Sequence, residues 1–323
     1  MEKGVRTAII TILIVAFSIF LSGAQGCQSS GTTTTSTGYI GGTDGLSMAF
    51  LNTEPPERVL DNNNELFYVS IELENLGEYD IKEEEVLTTL AGVNKDAFQI
   101  KDLTKINKNP IEGKKKEGGN VLKGEKGEIT YEAKYKEDLS ADTPFTIGAN
   151  VCYRYQTKSI VNLCLKKDVT ERTTVEESCL ITESKSISNW GSPVQVTAIS
   201  EDTAGTNRAK VTFTIINKNK GEVFEQTAFS ASKECSKTNE EKDKENKVNV
   251  KIKSAEKNLV FECAKLEGKD EGIVRLVDGL TTVTCHISTA DLQNTAFESP
   301  IEITLDYMYK DSISKNIVVE NAD

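Results

Sequence analysis

The side chains with the widest chemical reach in this 323-residue chain are one histidine and seven cysteines. A Ser/His/Asp or Cys/His catalytic arrangement would have to use His286 as its base. His286 follows Cys285 in a stretch where Val283, Cys285 and Ile287 alternate with polar residues, so it reads as an outward-facing strand residue. No G-x-x-x-x-G-K, G-x-G-x-x-G, H-E-x-x-H or G-x-S-x-G occurs, which removes phosphate cradles, dinucleotide sites, zincin sites and hydrolase elbows. Carboxylate pairs abound in an acidic chain and say nothing about glycoside hydrolysis without geometry. Asp61-Asn62-Asn63-Asn64-Glu65 offers oxygens suited to Ca²⁺, yet it lacks the spacing and glycine of an EF-hand and reads as a polar loop. No catalytic residue, metal site or cofactor is expected, and the chain reads as a non-enzyme.

Apart from Cys27, six cysteines remain: Cys152, Cys164, Cys179, Cys235, Cys263 and Cys285. No two have the C-x-x-C spacing of a zinc or redox site, and an even set in an exported chain points to disulfides, leaving no thiolate nucleophile. The expected pairs are Cys152 with Cys164, Cys263 with Cys285 and Cys179 with Cys235. The first rests on a hairpin whose turn would be Gln156 to Ser159. The other two follow by elimination.

Export is read from the N-terminus, where Lys3 and Arg6 precede an apolar run from Thr7 to Leu21. The run could also stay in place as a single span, since about 18 apolar residues is the lower edge of what crosses a bilayer. Three fates stay open. Ser22-Gly23-Ala24 offers the small residues read by a signal peptidase. Leu21 to Cys27 resembles the lipobox of exported lipoproteins, which makes Cys27 the lipidation candidate. Lys3-Gly4-Val5 resembles the processing site of archaeal pilins, which retain the helix. The Ser/Thr/Gly composition of Gln28 to Gly45 reads as a flexible tether and favours the lipoprotein, which places the protein at the outer face of the cytoplasmic membrane.

Beyond the tether, apolar residues recur with period two. Val69, Ile71 and Leu73 run into Asn75-Leu76-Gly77, and Val211, Phe213 and Ile215 run into Asn217, an offset of 142. A tighter echo follows at an offset of 154. Leu122, Ile129 and Ala133 correspond to Leu276, Val283 and Ile287, and Ile147, Ala149, Val151, Tyr153 and Tyr155 to Ile301, Ile303, Leu305, Tyr307 and Tyr309. The difference of 12 assigns extra residues to the charged loop around Lys237 to Lys247. The fold class expected is all-β, with two tandem immunoglobulin-like antiparallel β-sandwiches after an N-terminal apolar helix. The expected division is 1–26 signal or anchor, 27–45 tether, 46–175 first sandwich, 176–191 linker and 192–323 second sandwich. The four tyrosines belong to the core or to cross-strand pairs, and the only helical candidates are Glu84 to Leu90, which also reads as a strand, and Thr289 to Thr295. Trp190 beside Gly191 reads as packing where the domains join.

The strand Val69 to Gly77 and its echo at Val211 to Gly221 resemble the immunoglobulin-like, cell-adhesion-related domains of prokaryotic surface proteins. Cys152-Tyr153-Arg154-Tyr155-Gln156-Thr157, with Cys164, Cys179 and Ser192 to Thr197, looks like uncharacterised archaeal surface lipoproteins. Together these resemblances imply a fold and a compartment, and no reaction.

A net charge of -12, spread over interleaved Lys and Glu, argues against nucleic acid. Lys114 to Lys116 and Glu83 to Glu85 read as solvated runs. The expected partners are membrane lipid, through the N-terminal segment, and an unknown surface protein or glycan. A tethered structural or adhesion-type binding protein is therefore the leading expectation. A transporter's substrate-binding lipoprotein, whose two lobes would need helical periodicity, and a minor pilin-like subunit are the alternatives.

Overall fold

The computed structural model describes residues 38–62, 65–171, 177–230, 233–256 and 259–322. The apolar N-terminal segment, Cys27 and most of the tether lie outside them. Thr37–Asp323 is one compact unit, and its described residues are almost wholly strand and loop.

The first half of the unit contains β1 (Leu46–Phe50), β2 (Arg58–Leu60), β3 (Phe67–Asn75), β4 (Val86–Ala91), β5 (Thr104–Ile106), β6 (Lys115–Glu117), β7 (Asn120–Leu122), β8 (Lys126–Ala133) and β9 (Thr143–Leu165). Next come β10 (Ile187–Asn189), β11 (Val194–Thr203), β12 (Arg208–Asn217), β13 (Glu222–Phe224), α1 (Asn239–Lys244), β14 (Lys247–Ser254), β15 (Phe261–Cys263), β16 (Glu271–Arg275), β17 (Leu280–Ser288) and β18 (Phe297–Glu320). A nine-stranded sheet has the order β16-β14-β18-β9-β4-β5, with β10 added to β9 and with β13 and β2 added to β18. The smaller sheets are β1-β3-β8 and β11-β12-β17-β15, and β6 and β7 form a separate hairpin. Ile187–Asn189, within the stretch read as a linker, pairs with β9 as β10.

The long strand β9 follows from its sequence. From Phe145 to Leu165 every second residue faces inward, and from Ile147 onward each of these is buried. Its partner β18 runs antiparallel beside it without a break, from Phe297 opposite Leu165 to Val319 opposite Thr143. The midpoint of this register is Arg154 opposite Met308. Since an offset of 154 also carries Arg154 onto Met308, β9 and β18 are the equivalent strands of the repeat, paired about a local two-fold axis.

The repeat extends to individual hydrogen bonds. Ile71 lies opposite Ile129, and Phe213 lies opposite Val283 at the same offsets. The Tyr155 hydroxyl donates to Asn75 Oδ1 at 3.1 Å, and the Tyr309 hydroxyl to Asn217 Oδ1 at 3.2 Å. Leu46 N–H donates to the Tyr153 hydroxyl, and Val194 N–H to that of Tyr307. All four tyrosines are buried, in cross-strand pairs Tyr153–Tyr309 and Tyr155–Tyr307. Burial holds each hydroxyl above its ordinary pKa, that of Tyr309 at about 12.

Two local expectations are corrected. Gln156 to Ser159 makes no turn: it lies in the middle of β9. Its polar residues imitate a turn because Thr157 and Ser159, although buried, have polar partners. Thr157 Oγ1 donates to the Val194 carbonyl at 2.6 Å, and Ser159 Oγ to Asn189 Oδ1 at 2.6 Å. Neither helical candidate is a helix, and for Glu84 to Leu90 the strand reading holds from Val86 onward. Val86–Ala91 is the strand β4 between β5 and β9, and Thr289 to Thr295 is turn and bend. The helix among the described residues is α1, inside the charged insertion and capped by Thr238, whose Oγ1 accepts from Glu241 N–H.

One buried charge predicts a pH dependence. The Glu201 side chain is fully buried, accepts from Cys164 N–H at 2.9 Å and faces Lys185 Nζ at 3.3 Å. Burial pushes its carboxyl up to about 7, against the downward pull of Cys164 N–H and Lys185. A carboxyl raised in the folded state binds its proton more tightly there, so stability falls as pH rises from about 4.5 to about 7. Asp168 is depressed by its hydrogen bonds from Thr170, and Glu222 is depressed because Lys237 and Lys310 outweigh its burial. Their contributions are lost at lower pH, outside this window. Urea unfolding at pH 5 and pH 7 should differ by ~2 kcal/mol in favour of pH 5, and Glu201→Gln should flatten that difference. An unchanged pH profile in the variant would remove Glu201 as its source.

Candidate functional site

The three disulfides decide which parts of the long sheet are covered. Cys152 bonds Cys235, Cys164 bonds Cys179, and Cys263 bonds Cys285. The last pair is one of those expected; Cys152–Cys164 and Cys179–Cys235 are corrected. Cys152 and Cys164 occupy even positions of the same uninterrupted strand, 12 residues apart, so rises of about 3.3 Å per residue hold them far beyond bonding reach. Both sit on the outer face of β9, and each is buried by a different covering segment. Cys164 is covered through Cys179, where the half-buried Glu177 carboxylate accepts from the buried Lys166 Nζ at 2.8 Å.

Cys152 is covered by the insertion of the second half. Leu87, Cys152, Phe224, Ala228, Phe229, Cys235 and Met308 form a small apolar cluster of their own. Cys235 N–H donates to Thr89 Oγ1 at 2.9 Å, so the segment is tied to β4 by a hydrogen bond as well as by the disulfide. This cap comes from one half and covers the sheet of the other.

Beside the cap lies a pocket of about 610 Å³, at the local two-fold axis. Leu87, Ile106, Ala228, Phe229 and Met308 supply its apolar lining, and Arg154 supplies its central cation. The guanidinium is loosely held. Its closest carboxylates are Glu85 and Asp306, each 3.7 Å away, while its buried Nε has no hydrogen-bond partner among the described residues. Those carboxylates are engaged elsewhere. Glu85 accepts from the Tyr79 hydroxyl at 3.0 Å and from Lys82 N–H at 2.9 Å, and Asp306 accepts from Gln156 Nε2 at 2.8 Å. Burial and Glu85 together hold the Tyr79 hydroxyl far above its ordinary pKa. Glu84 (φ 65°), Phe229 (φ 62°) and Lys233 (φ 52°) line the same pocket with left-handed backbone, which is uncommon outside glycine.

Further along the outer face, Trp190 is half-buried with Lys158 Nζ 4.9 Å from its ring centroid and Tyr39 packed edge-on at 5.9 Å. Its own neighbours thus occupy the ring. Burial, with Glu302 and Glu78 adding to it, pushes the Tyr39 hydroxyl up to about 12.

The remaining sequence candidates are placed as follows. Cys27 lies outside the described residues. Asp61 is buried, and its carboxylate accepts from Leu139 N–H at 2.7 Å and Ala322 N–H at 2.9 Å, so it ties the chain end to a loop. Among the described residues no group of three or more His, Cys, Asp or Glu is arranged to hold a metal, and no helix is long and apolar enough to cross a membrane. His286 alternates with buried Cys285 and Ile287, opposite Lys210 and Glu262. Lys115 pairs with Glu112 and with Asp80. Sequence reasoning assigned no role to Arg154, Met308 or Phe229, and it read Glu83 to Glu85 as a solvated run, whereas the Glu85 carboxylate is largely buried and accepts from Tyr79 and Lys82. One signal was present: along the offset of 154, the tyrosines match while the residue between them changes from arginine to methionine.

No protein-family model matches the chain, and a search of the curated proteins returns no match.

Proposed function

We propose that the protein is a membrane-tethered, extracellular binding protein of structural or adhesion type, without catalytic activity. Its apolar N-terminus and lipidation candidate Cys27 hold it to membrane lipid. Two immunoglobulin-like sandwiches in tandem, fused through β9 and β18, present the outer face of the nine-stranded sheet to a surface protein or glycan. The resemblance to archaeal surface lipoproteins agrees with this reading. The observation that carries it is the disulfide set. All six cysteines of the described residues are paired, and such bonds persist in oxidising compartments outside the cytosol.

A second reading, a ligand-capturing lipoprotein, is favoured by the pocket at Arg154, whose volume lies within the roughly 300–1,000 Å³ of small-molecule sites. Both readings make the same first demand. Protein extracted from its native membrane should show a diacylglyceryl mass on Cys27 and gain six hydrogens on reduction, and protease added to intact cells should remove it. Six free thiols, or protection from external protease, would overturn the surface reading.

A further inference from the structure

We infer that the pocket at the local two-fold axis binds a small amphipathic monocarboxylate, with the carboxylate on Arg154 and the apolar body against Leu87, Ile106, Phe229 and Met308. The inference rests on the binding reading above and names its ligand class.

The argument begins with the unequal halves. Symmetry-related positions on the outer face carry Arg154 and Met308, and the two meet directly across β9 and β18. The methionine side supplies apolar surface, and the arginine side supplies charge, so the axis places the two in one cavity. The arginine also has capacity to spare. Five N–H donors serve two ion pairs at 3.7 Å, and the buried Nε is unpartnered among the described residues. The Nε is shielded from solvent, so the ligand carboxylate meets the Nη groups, whose ion pairs at 3.7 Å are long for hydrogen bonds. A guanidinium matches a carboxylate through two parallel N–H···O bonds.

Local charge restricts the ligand to a single negative charge. Glu84 and Glu85 line the pocket and Asp306 stands beside Arg154, and these three carboxylates already offset Arg154, Lys105 and Lys233, so the second charge of a phosphate dianion would find no further partner. Lys105 lines the pocket with its charge intact, but its Nζ is engaged, donating to the Thr130 carbonyl at 2.6 Å and lying over the Tyr131 ring. Lys233 is exposed on the rim. The left-handed backbone at Glu84, Phe229 and Lys233 shows that the lining is held in an uncommon conformation by the surrounding structure, including the Cys152–Cys235 disulfide.

The test is a titration of the full ectodomain, disulfides intact, followed by NMR shifts or calorimetry. The probes are octanoate and N-acetyl-phenylalanine, with octyl phosphate and N-acetyl-phenylalanine amide as controls. Either carboxylate should bind saturably, the better of the two telling a fatty acid from an amino-acid end, and the amide should bind at least about tenfold more weakly. Arg154→Met, which copies the residue the other half already carries, should weaken binding by a similar factor while leaving the melting temperature nearly unchanged. Ile106→Asp, a change at a half-exposed rim position, serves as the second variant and should also weaken binding. Equal binding by the amide or octyl phosphate, full binding by folded Arg154→Met, or no saturable binding by either carboxylate would overturn the assignment. Protease accessibility on intact cells is read separately, so failure of the pocket and failure of the surface reading give different results.

Discussion

Replacing Cys152 and Cys235 together by serine should lower the stability of the ectodomain by about 4 kcal/mol. The bond spans 83 residues, the longest separation of the three disulfides, and loop-closure entropy in the unfolded chain grows with the logarithm of that length. Losing it also removes the only disulfide between the halves among the described residues. Among the described residues Cys235 is otherwise held by its N–H to Thr89 and by the small apolar cluster, so the cap carrying Ala228 and Phe229 should open well before the sheet melts. Thermal unfolding should show a drop on the order of 10 °C, with earlier hydrogen exchange in 225–235 than in β9. Serine at Cys164 and Cys179 removes a bond that closes only 15 residues and should cost less, roughly 3 kcal/mol. If the two double variants melt together, the entropic ordering is wrong.

Gly77→Ala should be nearly as damaging, at roughly 3–5 kcal/mol. A methyl group at this position would overlap the Tyr155 hydroxyl and the Gly191 carbonyl, and it would stand 2.8 Å from the Asp44 carbonyl. Two of these three obstacles are backbone and cannot swing aside. The third is the tyrosine whose hydroxyl is held by Asn75, so relieving the overlap breaks a buried hydrogen bond as well. The repeat supplies a sharp comparison. Asn75 Oδ1 accepts from Gly77 N–H, and Asn217 Oδ1 accepts from Asn219 N–H, so the equivalent position of the second half tolerates a full side chain. Gly77→Asn, which would restore internal symmetry, should therefore fail as Gly77→Ala does, whereas Asn219→Gly should be mild. Urea midpoints for the three variants check the ordering, and a stable Gly77→Asn would show that the Gly191 segment yields.

Both expectations come from places where the halves of a repeat have diverged. The same holds for Arg154 and Met308: an internal symmetry axis brings equivalent positions face to face, and function can be built only where they stop being equivalent. The buried tyrosines and asparagines near the axis remain alike because each hydroxyl has one acceptor it must reach.

Alternation with period two is a local property of the chain, because successive residues of a strand point to opposite faces wherever the strand lies. For that reason the all-β class, the inward tyrosines and the repeat were legible in the amino acids alone. Cys263 and Cys285 stand opposite each other on neighbouring antiparallel strands, which is the geometry elimination happened to select. The other two pairings were not legible, because they depend on what covers the outer face of β9. Polar Gln156 to Ser159 looked like a turn, and only partners 30 or more residues away make it strand. The pocket is further still from local sequence: Arg154, Met308 and Phe229 converge through pairings across more than 70 residues and through a disulfide that links the halves. The sequence determined the strands and which of their side chains face inward. Their partners, the single long sheet and the cation at its axis were decided by tertiary structure, since outer-face neighbours follow from sheet order, which hydrophobic alternation does not encode.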